Sequence, residues 1–119
     1  VVEDYVIISG LSGVHQFCRV GAHSIIGGFT KVVQDIPPFT IADGNPAVTR
    51  AINQIGLQRR GFTKDDISSL RRAYKRLFFK KEKNLKEAIE ETKQADCAEN
   101  KHVQYLIDFL EKSERGVTR

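Results

Sequence analysis

Aliphatic residues recur at every sixth position from the start of the chain: Val2, Ile8, Val14, Val20, Ile26 and Val32. A helix repeats its apolar positions every 3.6 residues and a half-buried strand every two, so neither accounts for a period of six. The period predicts a hexapeptide β-helix, in which three short flat strands, roughly 18 residues, make one coil. The position four residues past each aliphatic reads Val6, Ser12, Cys18, Ser24, Thr30 and Ile36. These are mostly small or β-branched, as a second inward site on a narrow coil requires. Residues 2–37 fill two coils, and solenoids bury a continuous core with about three repeats or more. The first residue already sits in the repeat. The chain is therefore expected to be the tail end of a longer solenoid.

The repeat runs to about Val33 and is expected to end at Pro37-Pro38, because proline cannot donate to a ladder. The aliphatic stretch Phe39–Ala42 and the turn formers Asp43-Gly44-Asn45-Pro46-Ala47 follow. From Val48 the period turns helical. Val48, Ile52, Ile55 and Leu57 lead to Arg59-Arg60-Gly61, where glycine reads as a helix stop. Thr63 with an acidic first turn predicts a cap, followed by an apolar stripe of Ile67, Leu70, Tyr74, Leu77 and Phe78. Lys80-Lys81-Glu82-Lys83 is a charged link. Asn84, with Glu87 at the reciprocal position, caps a helix bearing Leu85, Ala88 and Ile89. A last helix carries Val103, Leu106, Ile107 and Leu110. The expected fold class is mixed β then α, with last coils and exit loop over residues 1–47 and a small helical domain over 48–119. A bundle of that size is marginal alone and should lean on the solenoid.

Composition narrows the class without naming a chemistry. The 119 residues are 40% hydrophobic and 29% charged, as in soluble globular proteins. No apolar run approaches the ~20 residues that cross a bilayer, so stable membrane insertion is not expected. The two cysteines, Cys18 and Cys97, lie far apart in no metal or redox spacing, which points to a reduced, cytoplasmic setting. Cys18 falls on an inward site of the repeat and reads as core. Residues 1–45 carry Arg19 and Lys31 against Glu3, Asp4, Asp35 and Asp43, a net of −2. The rest carries seventeen basic and eleven acidic residues, a net of +6. That half suits an anionic ligand, an acidic protein or a solvated helical surface. Nucleic acid is not expected, because no basic face is interleaved with aromatic residues.

Several segments appear in a telling order: Gly13-Val14-His15-Gln16-Phe17-Cys18, Val20-Gly21-Ala22-His23, Gln34-Asp35-Ile36-Pro37-Pro38, Gly44-Asn45-Pro46-Ala47, Gly56-Leu57-Gln58-Arg59-Arg60-Gly61-Phe62 and Ser113-Glu114-Arg115-Gly116. Gly-Asn-Pro-Ala is common to hexapeptide acyltransferases at large. Together, the segments resemble the C-terminal part of the acyl-carrier-protein-dependent UDP-N-acetylglucosamine O-acyltransferases, over essentially the whole chain. The resemblance implies a left-handed parallel β-helix with a helical C-terminal part, assembled as a homotrimer, although the usual crossover is right-handed. It implies transfer of a 3-hydroxyacyl group from acyl carrier protein to the 3-hydroxyl of UDP-N-acetylglucosamine, the first step of lipid A synthesis. No cofactor is implied. The family's general-base histidine lies on a coil upstream of the matched residues, so no catalytic residue is expected in this chain.

The same resemblance assigns substrate contact to His15, Gln16, Asn53, Arg59 and Arg60, and an acyl-chain groove to Gly10 and Gly28. Where the family often has an acidic residue two places beyond Asn53, this chain has Ile55. The residues themselves leave bland readings open. His15 reads equally as a hydrated surface histidine, Gly28 as turn geometry, Asn53 as a solvated helix residue, and Arg59-Arg60 as a basic helix end favoured by the helix dipole. A guanidinium pair suits a diphosphate, which it can bind through two parallel hydrogen bonds. His15 and His23 fall short of the three protein ligands that catalytic zinc needs, so no metal is expected. Arg71, Arg72, Lys75, Arg76, Lys80 and Lys81 form a second basic cluster suited to steering an acidic carrier protein. Two other readings remain at this level: a coenzyme-A-dependent sugar-nucleotide acetyltransferase on the same solenoid, and a non-catalytic trimeric binding module.

Overall fold

The period of six closes into flat coils in the computed structural model, which describes residues 1–79, 84–114 and 116–119. β1 (Ile7–Ile8), β3 (Ile25–Ile26) and β5 (Thr40–Gly44) stack in parallel as one wall. β2 (Gly13–Val14) and β4 (Lys31–Val32) form a second, and the bridges Val2↔Val20↔Ile36 a third. This is the end of a left-handed parallel β-helix. Val20, Ile26, Val32, Ile36 and Ala42 fill its interior with Cys18, which is 2% exposed. Ser12 joins two coils instead of packing inward. Its hydroxyl donates to the Gly27 carbonyl at 2.7 Å and accepts from the Thr30 amide at 3.1 Å.

Two expectations from the period need correction. From the first coil to the second the step is 18 residues on every wall, as Val2↔Val20, Ile7↔Ile25 and Gly13↔Lys31 show. From the second to the third it is 16, as Val20↔Ile36 and Ile25↔Ile41 show. Ile36 therefore joins the main aliphatic column under Val20, not the column of Cys18 and Thr30. Nor do the prolines end the solenoid. They turn a corner of a third coil, where Pro38 packs so closely on Gly21 that a Cβ there would lie 2.3 Å from the proline nitrogen.

The expected helix from Val48 begins later. Ala47–Ile52 is a strand, β6, antiparallel to β5 from Gly44↔Ala47 to Thr40↔Ile52, and the Asn45–Pro46 bond in the connecting turn is cis. The open edge of β5 supplies partners that a helix could not use, and β-branched Val48, Thr49 and Ile52 suit a pleated strand. The residue 47/48 division expected from the sequence thus falls inside this hairpin.

Helix α1 (Gln54–Arg59) stops as the sequence predicts. Gly61, at φ +82°, donates to the Gln58 carbonyl at 3.1 Å, and Phe62 donates to Leu57 at 3.1 Å. This paired closure needs a left-handed residue at the glycine. α2 (Lys64–Tyr74) opens on a reciprocal Thr63–Asp66 cap and runs into a π-helical turn, Lys75–Phe79. α3 (Leu85–Lys93) is capped by Asn84, whose side chain bonds both the amide and the carboxylate of Glu87. A 3₁₀ turn, Asp96–Glu99, leads into α4 (Lys101–Glu111). Their apolar stripes meet in a core of Leu57, Leu70, Leu77, Phe78, Val103 and Leu106, which also takes in Phe39 and Ile52 from the β part. The charged link at 80–83 lies outside the described residues. No helix among the described residues is long and apolar enough to cross a membrane.

The C-terminal tail sews the two parts together. Asp35 donates its amide to Gly116 and accepts from Thr118, Thr49 bonds Thr118, and the Arg119 guanidinium donates to the Leu77 carbonyl at 2.8 Å. The helical part leans on the solenoid as its size requires.

Candidate functional site

An open cleft of about 940 Å³ lies between the first solenoid wall and helix α1. Its floor comes from the strand period. On β1 and β3 the inward residues are Ile8 and Ile26, so their neighbours Ile7 and Ile25 face outward and continue onto Ile41 of β5. This outward isoleucine column is an apolar strip that sequence reasoning passed over. Adjacent isoleucines at 7–8 and 25–26, one coil apart, are the signal that would have shown it.

The rim is polar and basic. Asn53, Gln54, Ile55, Gly56, Arg59 and Arg60 border the cleft from the entry and exit of α1. Asn53 is 4% exposed, and its carboxamide is committed to structure. Its oxygen accepts from the Gly56 amide at 3.2 Å, and its nitrogen donates to the His23 carbonyl at 2.9 Å. The solvated-helix reading does not describe it: it caps α1 and pins that helix to the second coil. Gly56 is required beside it, since a Cβ there would lie 2.3 Å from the Asn53 nitrogen. Ile55 is exposed at the mouth.

The two arginines differ. The Arg60 guanidinium sits 4.1 Å over the centre of the Tyr5 ring. Arg59 is exposed at the rim and makes no ion pair with any described residue. Adjacent helical residues diverge by about 100°, which separates the side chains in this way. Arg71 bonds Gln54 behind the rim and adds positive charge.

Tyr5 and His23 are the residues sequence reasoning undervalued. They are 18 positions apart and so share one corner of stacked coils, both with left-handed backbones at φ 60° and 61°. The His23 ring stacks on Tyr5 at 4.9 Å and meets the edge of Phe62 at 4.9 Å, and Phe62 in turn stacks on His102 at 4.2 Å. Burial above all, then the charges of His102 and Arg60, hold the His23 imidazole below its ordinary 6.5, with Asp4 opposing. Burial also lowers His102, with Asp66 opposing from 3.8 Å away. Burial and the Glu3 carboxylate, to which its hydroxyl bonds, raise the Tyr105 phenol.

The structure does not bring all the expected site residues together within one chain. His15 follows β2 on another wall and lines a separate groove of about 390 Å³ with Leu11, Phe29 and Asn45. Its Nδ1 accepts from the Phe17 amide at 3.4 Å, and Gln16 beside it is exposed. The walls of a triangular coil face different directions, so one copy cannot turn His15 and Arg59 toward the same point. Gly10 and Gly28 stack at one corner, where a Cβ on Gly28 would lie 3.6 Å from the Gly10 carbonyl and one on Gly10 would meet nothing. Neither has a positive φ, so space and not turn geometry distinguishes them. Arg71, Arg72, Lys75 and Arg76 are exposed along α2 and its π-helical extension, whereas Lys80 and Lys81 lie outside the described residues. Among the described residues no group of three or more His, Cys, Asp or Glu is placed to hold a metal.

Comparison with known proteins gives a consistent result. The family model described as UDP N-acetylglucosamine O-acyltransferase, domain 2, matches residues 35–118. The acyl-[acyl-carrier-protein]–UDP-N-acetylglucosamine O-acyltransferase of Burkholderia mallei (strain SAVP1) is 50% identical over 121 aligned residues, covering 99% of this chain and 46% of the relative. The protein of the same description from Aliivibrio salmonicida (strain LFI1238) is 51% identical, covering 99% and 44%. Among solved structures, the UDP-N-acetylglucosamine acyltransferase of Bacteroides fragilis 9343 superposes with a TM-score of 0.92 at 36% identity, over 99% of this chain and 46% of that one. The chain thus spans about half the length of the relatives it matches.

Proposed function

The chain belongs to the UDP-N-acetylglucosamine O-acyltransferase family, and on that premise we propose that it forms the acceptor-binding and carrier-facing part of an enzyme of lipid A synthesis. The reaction moves a 3-hydroxyacyl group from acyl carrier protein to UDP-N-acetylglucosamine. The sugar 3-hydroxyl attacks the thioester carbonyl, the new C–O bond forms as the C–S bond breaks, and the carrier thiol leaves with the proton. No residue of this chain is assigned the base. What this chain contributes is binding.

The observation that carries the reading is Arg59: a guanidinium with no ion pair among the described residues, on the rim of an apolar-floored cleft, beside Arg60, which is already engaged. It suits the diphosphate of the nucleotide sugar. Homotrimer assembly would complete the site, because the groove of His15 and Gln16 on one copy can then face the cleft of Asn53 and Arg59 on the next. Gly10 and Gly28 leave the corner open for the acyl chain. Arg72, Lys75 and Arg76 present positive charge to the acidic carrier. With these substrates the enzyme would act in the cytoplasm.

Titration of UDP-N-acetylglucosamine into single arginine variants of the intact enzyme tests this. A charge-assisted hydrogen bond contributes about 1.5–3 kcal/mol, so Arg59→Ala should weaken binding about ten- to hundredfold, and Arg59→Lys should recover only part. Parental affinity in both Arg59→Ala and Arg60→Ala would show that the arginines are a solvated helix end and that the site lies elsewhere.

A further inference from the structure

Tyr5 is 54% exposed on the cleft wall, yet it is firmly placed. Its ring carries the Arg60 guanidinium at 4.1 Å and stacks on His23 at 4.9 Å, with the two planes 26° apart. His23 is itself immobilised. Its amide donates to the Asp4 carbonyl at 2.9 Å, its carbonyl accepts from Asn53 at 2.9 Å, and its ring is backed by Phe62 and Phe39. Arg60, by contrast, is the exposed C-cap of a six-residue helix, with a long side chain and no ion pair among the described residues. Order in this stack therefore runs outward from coil to tyrosine to arginine. A guanidinium held flat on an aromatic ring keeps its charge but loses its freedom to search.

We propose that Tyr5 is a positioning residue of the nucleotide-sugar cleft: it docks Arg60 against the coil, fixes that positive charge at the rim, and leaves Arg59 to pair with the anionic ligand. This rests on the reading of the cleft given above. It also accounts for two adjacent arginines without requiring both to reach one phosphate. The ring, not the phenol hydroxyl, is the working part.

The test is a double-mutant cycle in the intact enzyme, reading KM for UDP-N-acetylglucosamine separately from kcat. Tyr5→Leu leaves the corner backbone feasible, since Leu11 holds the same left-handed conformation at φ 59° one repeat later. It should raise KM about three- to tenfold, the size of a partly exposed cation–π contact, with kcat unchanged. Tyr5→Phe keeps the ring and should restore KM to within about twofold of the parent. Arg60→Ala, at an exposed helix end, should raise KM to a similar degree, and Tyr5→Leu combined with Arg60→Ala should be no worse than either alone. Additive losses, an equal defect in Tyr5→Phe, or a parental KM in Tyr5→Leu would each overturn the proposal. Arg59→Ala in the same assay separates the two levels. If it weakens binding while the Tyr5 effect proves independent of Arg60, only the positioning role falls. If it binds like the parent, the cleft reading falls and takes the positioning role with it.

Discussion

Asn53 and His23 show how one hydrogen bond ties a rim residue to a coil corner. The Asn53 carboxamide holds the His23 carbonyl at 2.9 Å while capping α1, so the cleft wall and the helix that borders it move as one. A single residue in a sequence cannot reveal that both ends of its side chain are taken. The arginine pair is legible as chemistry, but the contact that sets Arg60 apart from Arg59 is with Tyr5, distant in the chain and adjacent only through the coil. The His23–Phe62–His102 stack also makes a titration prediction. Both imidazoles are held below 6.5, so the unfolded chain takes up protons before the folded one does. Stability should be level above about pH 7 and should fall as pH drops through 6.5, until the folded state also protonates. The groups facing this stack are Arg60, Asp4, Asp66 and Lys101, and the two carboxylates soften the effect. Urea midpoints between pH 7.5 and 5 should show the decline. His23→Asn, a residue tolerant of the left-handed backbone, should show a smaller one. A flat midpoint in the parent would refute the assignment.

At the level of elements, periodicity predicts the structure wherever one residue type serves one role. Period six marks the first two coils, and the stripes behind Thr63 and Asn84 and that of Val103, Leu106, Ile107 and Leu110 mark α2, α3 and α4. It fails where a short segment obeys two patterns. Val48 and Ile52 are four apart, as in a helix, but Ala47, Thr49 and Ile52 bury on a strand because β5 offers an open edge. The shortened third coil was invisible for a similar reason. Two residues are saved between Val32 and Ile36, and nothing in their identities marks the saving. The contact that accommodates the corner is Gly21 against Pro38. Gly21→Ala should destabilise the protein by about 3 kcal/mol or more, because backbone and not a flexible side chain blocks the methyl; a thermal melt at the parental temperature would contradict this. At the corner of Gly10 and Gly28 the expected effect is on selectivity. In the intact enzyme Gly28→Met should shift preference toward shorter acyl donors, and equal rates across donor lengths would remove the groove assignment.

In the molecule as a whole, stability depends on a few long-range ties that no local pattern announces. Asp35 is 1% exposed and accepts from the Arg19 amide at 2.8 Å and the Ser113 hydroxyl at 2.6 Å, joining the solenoid to the end of α4. Its backbone pairs with Gly116 and Thr118 of the tail. Asp35→Ala should cost about 2–4 kcal/mol by urea denaturation, since it strands buried donors, whereas Asp35→Asn, which keeps one acceptor, should cost about half of that. Equal losses would mean that cavity formation dominates. The hairpin and tail bear on a hazard of flat, stackable rungs. β6 closes the first wall with a strand of reversed polarity, and Val117 occupies the third wall beside Asp35. A head-to-tail fibre needs each junction to repeat the parallel 18-residue register of Val2 on Val20. On these two walls an incoming copy finds that register already terminated. Polymer growth is disfavoured there by architecture, and the exposed Arg50 of β6 adds charge to the same edge.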